Sequence, residues 1–280
     1  MDLNEFIKLA LEEDGASDDY TSLACIDTLT SGKAEMLIKE DGIIAGIEVA
    51  RNIFTYLDKK FIIECFVEDG QKVKKGDIGF FVKGSMQEIL KAERFVLNIM
   101  QRMSGIATET SKYKEQLHGL NTKVLDTRKT SPLFRMFEKW AVRIGGGENH
   151  RMGLNDMILI KDNHVDVAGG IEKAIDKVQD YLKRTGRKIK VEIETRNLYE
   201  VKQVLKKGFV DRIMLDNFNI SELTEAVKII NHQFETEASG GITLKNARSY
   251  AETGIDFISV GSLTHSYKSL DLSLKVLKHH

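Results

Sequence analysis

The feature that most constrains this 280-residue chain is a series of apolar runs that end on polar or glycine groups at a nearly constant interval. The last four end at Glu194, Asp216, Ser239 and Gly261, steps of 22, 23 and 22 residues. A strand, a helix and two short loops need about this many residues, so the interval predicts parallel strands joined by crossover helices. Two earlier runs end near Asp126 and Ile160, and helix-like stretches fall at 170–184, 197–207, 220–231 and 243–253. A complete β/α barrel has eight units in about 250 residues. Six units predict an α/β chain whose residues 105–265 form an open, incomplete β/α barrel.

Residues 1–104 read as a separate α+β domain. Leu3, Phe6, Ile7, Ala10 and Leu11 make a helical stripe over 3–13, and strand-like runs follow at 34–38, 43–47, 61–67 and 78–82. The turn VEDGQKVKKGD resembles a lipoyl-type hairpin but lacks the exposed lysine that would be modified, so it reads as structural. Ile89, Ala92, Val96, Ile99, Met100 and Met103 then recur at helical steps over 86–103. No Pro/Gly/Ser-rich linker separates the halves, so this long helix is expected to bridge them. The segment 266–280 is expected to pack back onto the first domain. Pro132, the one proline, is expected in the first turn of the helix-like FRMFEKWAV, where its missing N–H costs nothing.

Composition excludes several functions. With 41 basic against 42 acidic side chains, the chain lacks the basic surplus of a dedicated nucleic-acid or membrane-surface protein. Cys25 and Cys65 lie in no metal-ligand spacing, which points to a reducing, cytoplasmic setting. The acidic, helix-like N-terminus is not expected to be a secretory signal, no apolar run reaches transmembrane length, and the closing KHH carries no function.

Chemistry concentrates at the carboxyl ends of the strands, where α/β barrels place it. Arg128 and Lys129 follow VLDT, Lys161 follows MILI, and Arg135, His150 and Arg151 lie between, which suggests a cationic pocket for an anionic small molecule. Taken singly, such charges are more often a solvated surface, and a Gly-Gly pair is often a plain turn. Five or six strand ends of this kind are hard to explain by packing alone. ASGGITL and SVGSLTH, on the last two strands, sit where barrels commonly bind phosphate. GGGEN at 145–149 has no lysine at P-loop spacing and reads as a turn that lets the chain approach a ligand. Three roles are open to Glu194 and Asp216: binding Mg²⁺ beside phosphate oxygens, accepting ribose hydroxyls, or stabilising a cationic sugar carbon. Glu192 shares the strand parity of Glu194 and is expected only to hold a neighbouring lysine.

These residues also resemble a known family. ERFVLNIMQRMSGIAT, LDTRKTSP, GGGENHRMGLNDMILIKDNH, VEIET, IMLDN, EASGGITLKN and ISVGSLTHS together look like the decarboxylating quinolinate phosphoribosyltransferases, the nicotinate-nucleotide pyrophosphorylases of NAD biosynthesis. The resemblance runs nearly the whole length and is dense from Glu93 onward. It implies an N-terminal α/β sandwich domain beside the incomplete barrel (a type II phosphoribosyltransferase-like fold), with homodimers or larger assemblies sharing the active site across an interface. It places the quinolinate-binding cations on Arg128, Lys129, His150, Arg151 and Lys161, with Arg94 supplied by the neighbouring subunit. Glu194 and Asp216, together with Lys161, fall at phosphoribosyl pyrophosphate; Ser239, Gly240, Gly241, Gly261, Ser262 and His265 match its phosphate loops. Lys129, Glu194 and Asp216 are implied to be catalytic, and Mg²⁺ to neutralise the leaving pyrophosphate. Three positions depart from the family's usual residues: Ser131 for threonine, Leu133 for glycine and Trp140 for tyrosine.

The implied reaction is attack of the pyridine nitrogen on the anomeric carbon, followed by loss of the 2-carboxylate into the pyridinium ring. Positioning and electrostatics dominate such a step. Competing expectations are a nicotinate-using or molybdate-operon phosphoribosyltransferase, a Schiff-base lyase built on Lys161, and a catalytically silent anion-binding homologue. Lys161 and Asn163 within LIKDNH favour quinolinate.

Overall fold

The computed structural model describes residues 2–277 and divides into two compact units. The first comprises the chain to Glu109, Met136–Gly146 and the chain from Ser266; the second comprises Thr110–Arg135 and Gly147–His265.

In the first unit, α1 (Leu3–Glu13) is capped by Asp2, whose carboxylate accepts the Glu5 N–H at 2.8 Å. There follow α2 (Tyr20–Cys25), β1 (Ser31–Ile38), β2 (Gly42–Ile43), α3 (Ile47–Leu57), β3 (Ile62–Cys65), β4 (Lys72–Val73), β5 (Ile78–Ser85) and the 31-residue α4 (Met86–Gln116), which from Thr110 onward is counted in the second unit. β1 buries every second residue, Gly32, Ala34, Met36 and Ile38, as a strand with one covered face must. The chain's last strand, β12 (Leu272–Leu277), returns to pair antiparallel with β1, giving a four-stranded sheet in the order β12-β1-β5-β3; β2 and β4 form a separate antiparallel pair. The run at 43–47 is not a strand beyond Ile43. The Ala45 N–H goes to Ser104 Oγ at 2.9 Å instead of to a strand partner, and α3 begins at Ile47. The KHH tail lies outside the described residues.

Gly105 shows how closely the return segment approaches α4. A Cβ built there would lie 2.3 Å from the Lys268 carbonyl oxygen, and backbone cannot yield as a flexible side chain can. Gly105→Ala is therefore expected to destabilise the protein by about 2 kcal/mol through overpacking, read as a lowered urea midpoint with unchanged slope.

The second unit holds six parallel strands, β6 (Lys123–Leu125), β7 (Met157–Ile160), β8 (Lys190–Thr195), β9 (Arg212–Asp216), β10 (Glu235–Ser239) and β11 (Phe257–Ser259), in the order β6-β11-β10-β9-β8-β7. This is the incomplete β/α barrel that the spacing predicts, and β6 and β7 form its two edges. Between the strands lie α6 (Asp162–Ala168), α7 (Ile171–Thr185), α8 (Leu198–Lys207), α9 (Ile220–Ile230), α10 (Ala247–Ala251) and α11 (Ser262–His265). Asn197 and Asn219 cap α8 and α9, accepting the N–H groups of Glu200 and Glu222 at 3.0 and 2.9 Å. α5 (Arg135–Ile144) starts three residues after Pro132, so the proline sits in the turn before the helix and not in its first turn. Among the described residues no helix is long and apolar enough to cross a membrane.

Candidate active site

In β8, Val191 and Ile193 are buried apolar residues, while Glu192 and Glu194 alternate with them and are also buried. In-register pairing sets Glu192 opposite Arg212, and Asp216 opposite Ser239. The polar ends of these strands line a cavity of about 860 Å³ that lies wholly within the second unit. It gathers Arg128, Lys129, His150, Arg151, Lys161, Glu194, Asp216, Ser239, Gly240, Gly241, Gly261, Ser262 and His265. Of the residues that the resemblance assigns to substrates, Arg94 alone is not among its lining and is exposed on α4 in the first unit; Arg135 and Glu192, also singled out from the sequence, are not among the lining either.

One wall is cationic. Burial, then the neighbouring Arg128, depresses the pKa of Arg151, because a second guanidinium alongside disfavours its charge. Arg128 Nε is buried and finds no hydrogen-bond acceptor. A buried, unsatisfied donor beside a second arginine is a seat for a carboxylate, which planar forks bind with two parallel bonds.

The opposite wall is acidic and then glycine-rich. Lys161 Nζ lies 2.9 Å from Glu194 Oε1, and the Asp162 N–H reaches Glu194 Oε2 at 3.3 Å. Burial, followed by repulsion from Glu194, raises the Asp216 pKa, so these two carboxylates share one field and together favour a cationic group between them. The Asn217 N–H donates to the Ser239 carbonyl at 2.8 Å, tying the end of β9 to that of β10. Gly240 follows with φ 96°, and a Cβ there would sit 2.1 Å from Asn217 Oδ1, so only glycine fits this crossing.

Two family models match the chain: the quinolinate phosphoribosyl transferase N-terminal domain over residues 19–104 and its C-terminal domain over 106–275. The chain belongs to the quinolinate phosphoribosyltransferase family. A Nicotiana tabacum relative named quinolinate phosphoribosyltransferase [decarboxylating] 2b, mitochondrial, is 48% identical over 98% of this chain and 82% of its own length. The probable nicotinate-nucleotide pyrophosphorylase [carboxylating] of Bacillus subtilis is 39% identical over 94% of this chain and 90% of its own. The solved nicotinate-nucleotide pyrophosphorylase of Francisella tularensis superposes with a TM-score of 0.91 at 40% identity, covering 98% of this chain and 96% of that one.

Against this family's usual pattern, Leu133 matters most. It adopts φ 62°, a left-handed conformation natural to the glycine usually found there, and its side chain is exposed. The turn beside Lys129 is thus kept at some cost in backbone strain. GGGEN proves to be the end of α5: Gly145 and Gly146 N–H groups close on the Ala141 and Arg143 carbonyls, and Glu148 bridges to Leu125. Glu192 holds no lysine. Its Oε2 lies 2.9 Å from His150 Nε2, and it faces Arg212.

The cavity also contains Glu237, Ser259 and Asn217, which were not singled out from the sequence. For Glu237 a signal existed: in ETEASGG it shares strand parity with Ser239, the first residue of the phosphate-type loop. Arg212 and Ser259 carried no such mark, since each reads as an ordinary strand residue.

Proposed function

We propose that the protein transfers the phosphoribosyl group of phosphoribosyl pyrophosphate to quinolinate with decarboxylation, giving nicotinate mononucleotide, pyrophosphate and carbon dioxide in de novo NAD biosynthesis. The observation that carries this reading is one cavity with two unlike walls: Arg128 and Arg151 beside Lys129, facing Glu194, Asp216 and the Ser239–Gly241 loop. A pyridine dicarboxylate suits the first wall, and a ribose with its phosphates suits the second.

Arg128 and Arg151 grip the two carboxylates and fix the pyridine nitrogen in line with the anomeric carbon. Glu194 and Asp216 stabilise the positive charge that the sugar gains as pyrophosphate leaves. Lys129 and Lys161 act as point charges on the carboxylate or the pyrophosphate. The 2-carboxylate then departs as carbon dioxide, its bonding electrons drawn by the new pyridinium nitrogen, and no general base is required. If Mg²⁺ is bound, the Glu194 and Asp216 carboxylates would be suited to hold it, and it would neutralise charge on the leaving pyrophosphate. Arg94 of a second copy would complete the dicarboxylate seat, in a homodimer or a larger assembly. Both cysteines are free thiols, which supports placement in a reducing compartment such as the cytoplasm.

Incubation with quinolinate, phosphoribosyl pyrophosphate and Mg²⁺ is expected to release one carbon dioxide per nicotinate mononucleotide formed. Nicotinate in place of quinolinate is expected to give no product; equal turnover of nicotinate would overturn the assignment.

A further inference from the structure

Two loops carry the cation wall: the one after β6 bears Arg128 and Lys129, and the one before β7 bears His150 and Arg151. Both expose apolar side chains instead of burying them, Leu133 in the first and Met152 and Leu154 in the second. His150 reaches the buried acid layer of Glu192 and Glu237, at 2.9 and 3.4 Å. Beyond Arg151, however, no side chain is buried until Met157. Polar contacts must fix this stretch.

Arg135 supplies one of them. The sequence places it among the pocket cations, yet it does not line the cavity. Its Nε donates to Thr130 Oγ1 at 2.9 Å, and its Nη1 donates to the Met152 carbonyl at 2.8 Å. One guanidinium thus joins the residue after Lys129 to the residue after Arg151. Each junction is fixed from another side as well. The Lys129 N–H donates to Thr127 Oγ1 at 3.0 Å, and its carbonyl accepts the Thr264 hydroxyl at 2.9 Å. Asp156 accepts the N–H groups of Met152 and Gly153 at 2.6 and 2.8 Å. The Arg135–Thr130 bond also spans the turn in which Leu133 sits at φ 62°. Such a conformation persists only where surrounding contacts over-determine it, and this bond is one of those contacts.

We infer that Arg135 is a positioning residue for quinolinate: its planar fork locks the Lys129 loop to the Arg151 loop and so sets the spacing of the cations that receive the dicarboxylate. The inference rests on the quinolinate reading for the identity of the anion. Arginine suits the task because its donors keep a fixed geometry in one plane, so that two acceptors on different loops are held at once. A lysine would keep the charge and lose the fork. Small displacements matter here, since moving a binding group by about 1 Å can cost about 10²-fold.

Calorimetric titration with quinolinate needs no turnover and tests this directly. Arg135→Met is expected to weaken quinolinate binding about tenfold, the worth of about one hydrogen bond, while KM for phosphoribosyl pyrophosphate stays within about twofold of wild type. Arg135→Lys is expected to weaken quinolinate binding nearly as much. Wild-type affinity in Arg135→Lys would show that charge alone matters and would overturn the inference. Thr130→Val removes the Nε acceptor with little change of shape; it is expected to weaken binding about threefold alone and to add nothing in the Arg135→Met background. Additive losses would overturn the coupling of the two loops. Equal losses for both substrates, with a lowered urea midpoint, would mean that Arg135 serves the fold and not the seat, and would sink the inference as well. Those outcomes are read from the variants. If the wild-type protein itself binds no quinolinate, the assigned substrate fails first, and the seat that Arg135 is inferred to set fails with it.

Discussion

Glu194→Ala is expected to lower kcat by about 10²–10³-fold while changing stability by less than about 1 kcal/mol. The two effects separate because of what the carboxylate touches. Its partner Lys161 is 47% exposed, so removing the acid leaves an ammonium that water can solvate, not a stranded buried charge. Its other neighbour is a like charge: Asp216 has a raised pKa, from burial first and then from Glu194. Losing Glu194 relieves that repulsion, and the Asp216 pKa is expected to fall in the variant. On the proposed mechanism, what is lost is the field that favours positive charge on the sugar, which acts only as the leaving group departs. Lys129→Ala is expected to show the same division between turnover and stability. Near-wild-type kcat in either variant, alongside an unchanged urea midpoint, would show that the residue has no part in the charge-bearing step.

The barrel and the gathering of the strand-end residues around one cavity were legible because strand periodicity and strand-end chemistry coincide. A residue such as Lys161 is marked twice, by the apolar MILI before it and by the charge at its end. Helices α1, α7 and α8 were equally readable from their stripes, and Asp2 and Asn197 add local caps to α1 and α8. Long-range pairing was not. That β12 adds to β1 depends on residues more than 200 positions apart, and the grouping of Met136–Gly146 with the first unit has no local mark. The acid layer was hidden for another reason. Arg212 reads as an ordinary strand residue and Glu192 as the holder of a lysine, and only the closure of neighbouring strands shows that they are buried together with Glu237.

Arg212→Met is expected to cost about 3–5 kcal/mol at neutral pH, the largest stability effect foreseen for a single change in this barrel. The guanidinium stands 2.9 Å from Glu237 and 3.1 Å from Glu235, opposite Glu192 in the sheet, and its carbon lies 4.0 Å from the centre of the Phe257 ring. Burial works against its charge, but Glu192, Glu237 and Glu235 outweigh that and hold its pKa above the ordinary arginine value. Even with this cation present, burial lifts Glu192 to about 7; Glu237 also reaches about 7, from burial and then repulsion by Glu192. The sign of the pH dependence follows. A carboxyl whose pKa rises on folding favours the folded state most below its unfolded value of 4.5, and that contribution is lost as pH climbs through about 7, because the unfolded chain ionises first. Removing Arg212 pushes both carboxyl groups higher still, so the deficit of the variant should be small near pH 5 and should grow steadily to about pH 8. Adding Glu192→Gln and Glu237→Gln to Arg212→Met removes both raised carboxyl groups and should erase their part of the pH dependence. Urea midpoints of the three proteins across this range test the chain of reasoning from burial to charge to geometry; a deficit independent of pH would mean that Arg212 stabilises the barrel by packing on Phe257 and not by neutralising the acid pair beneath the site.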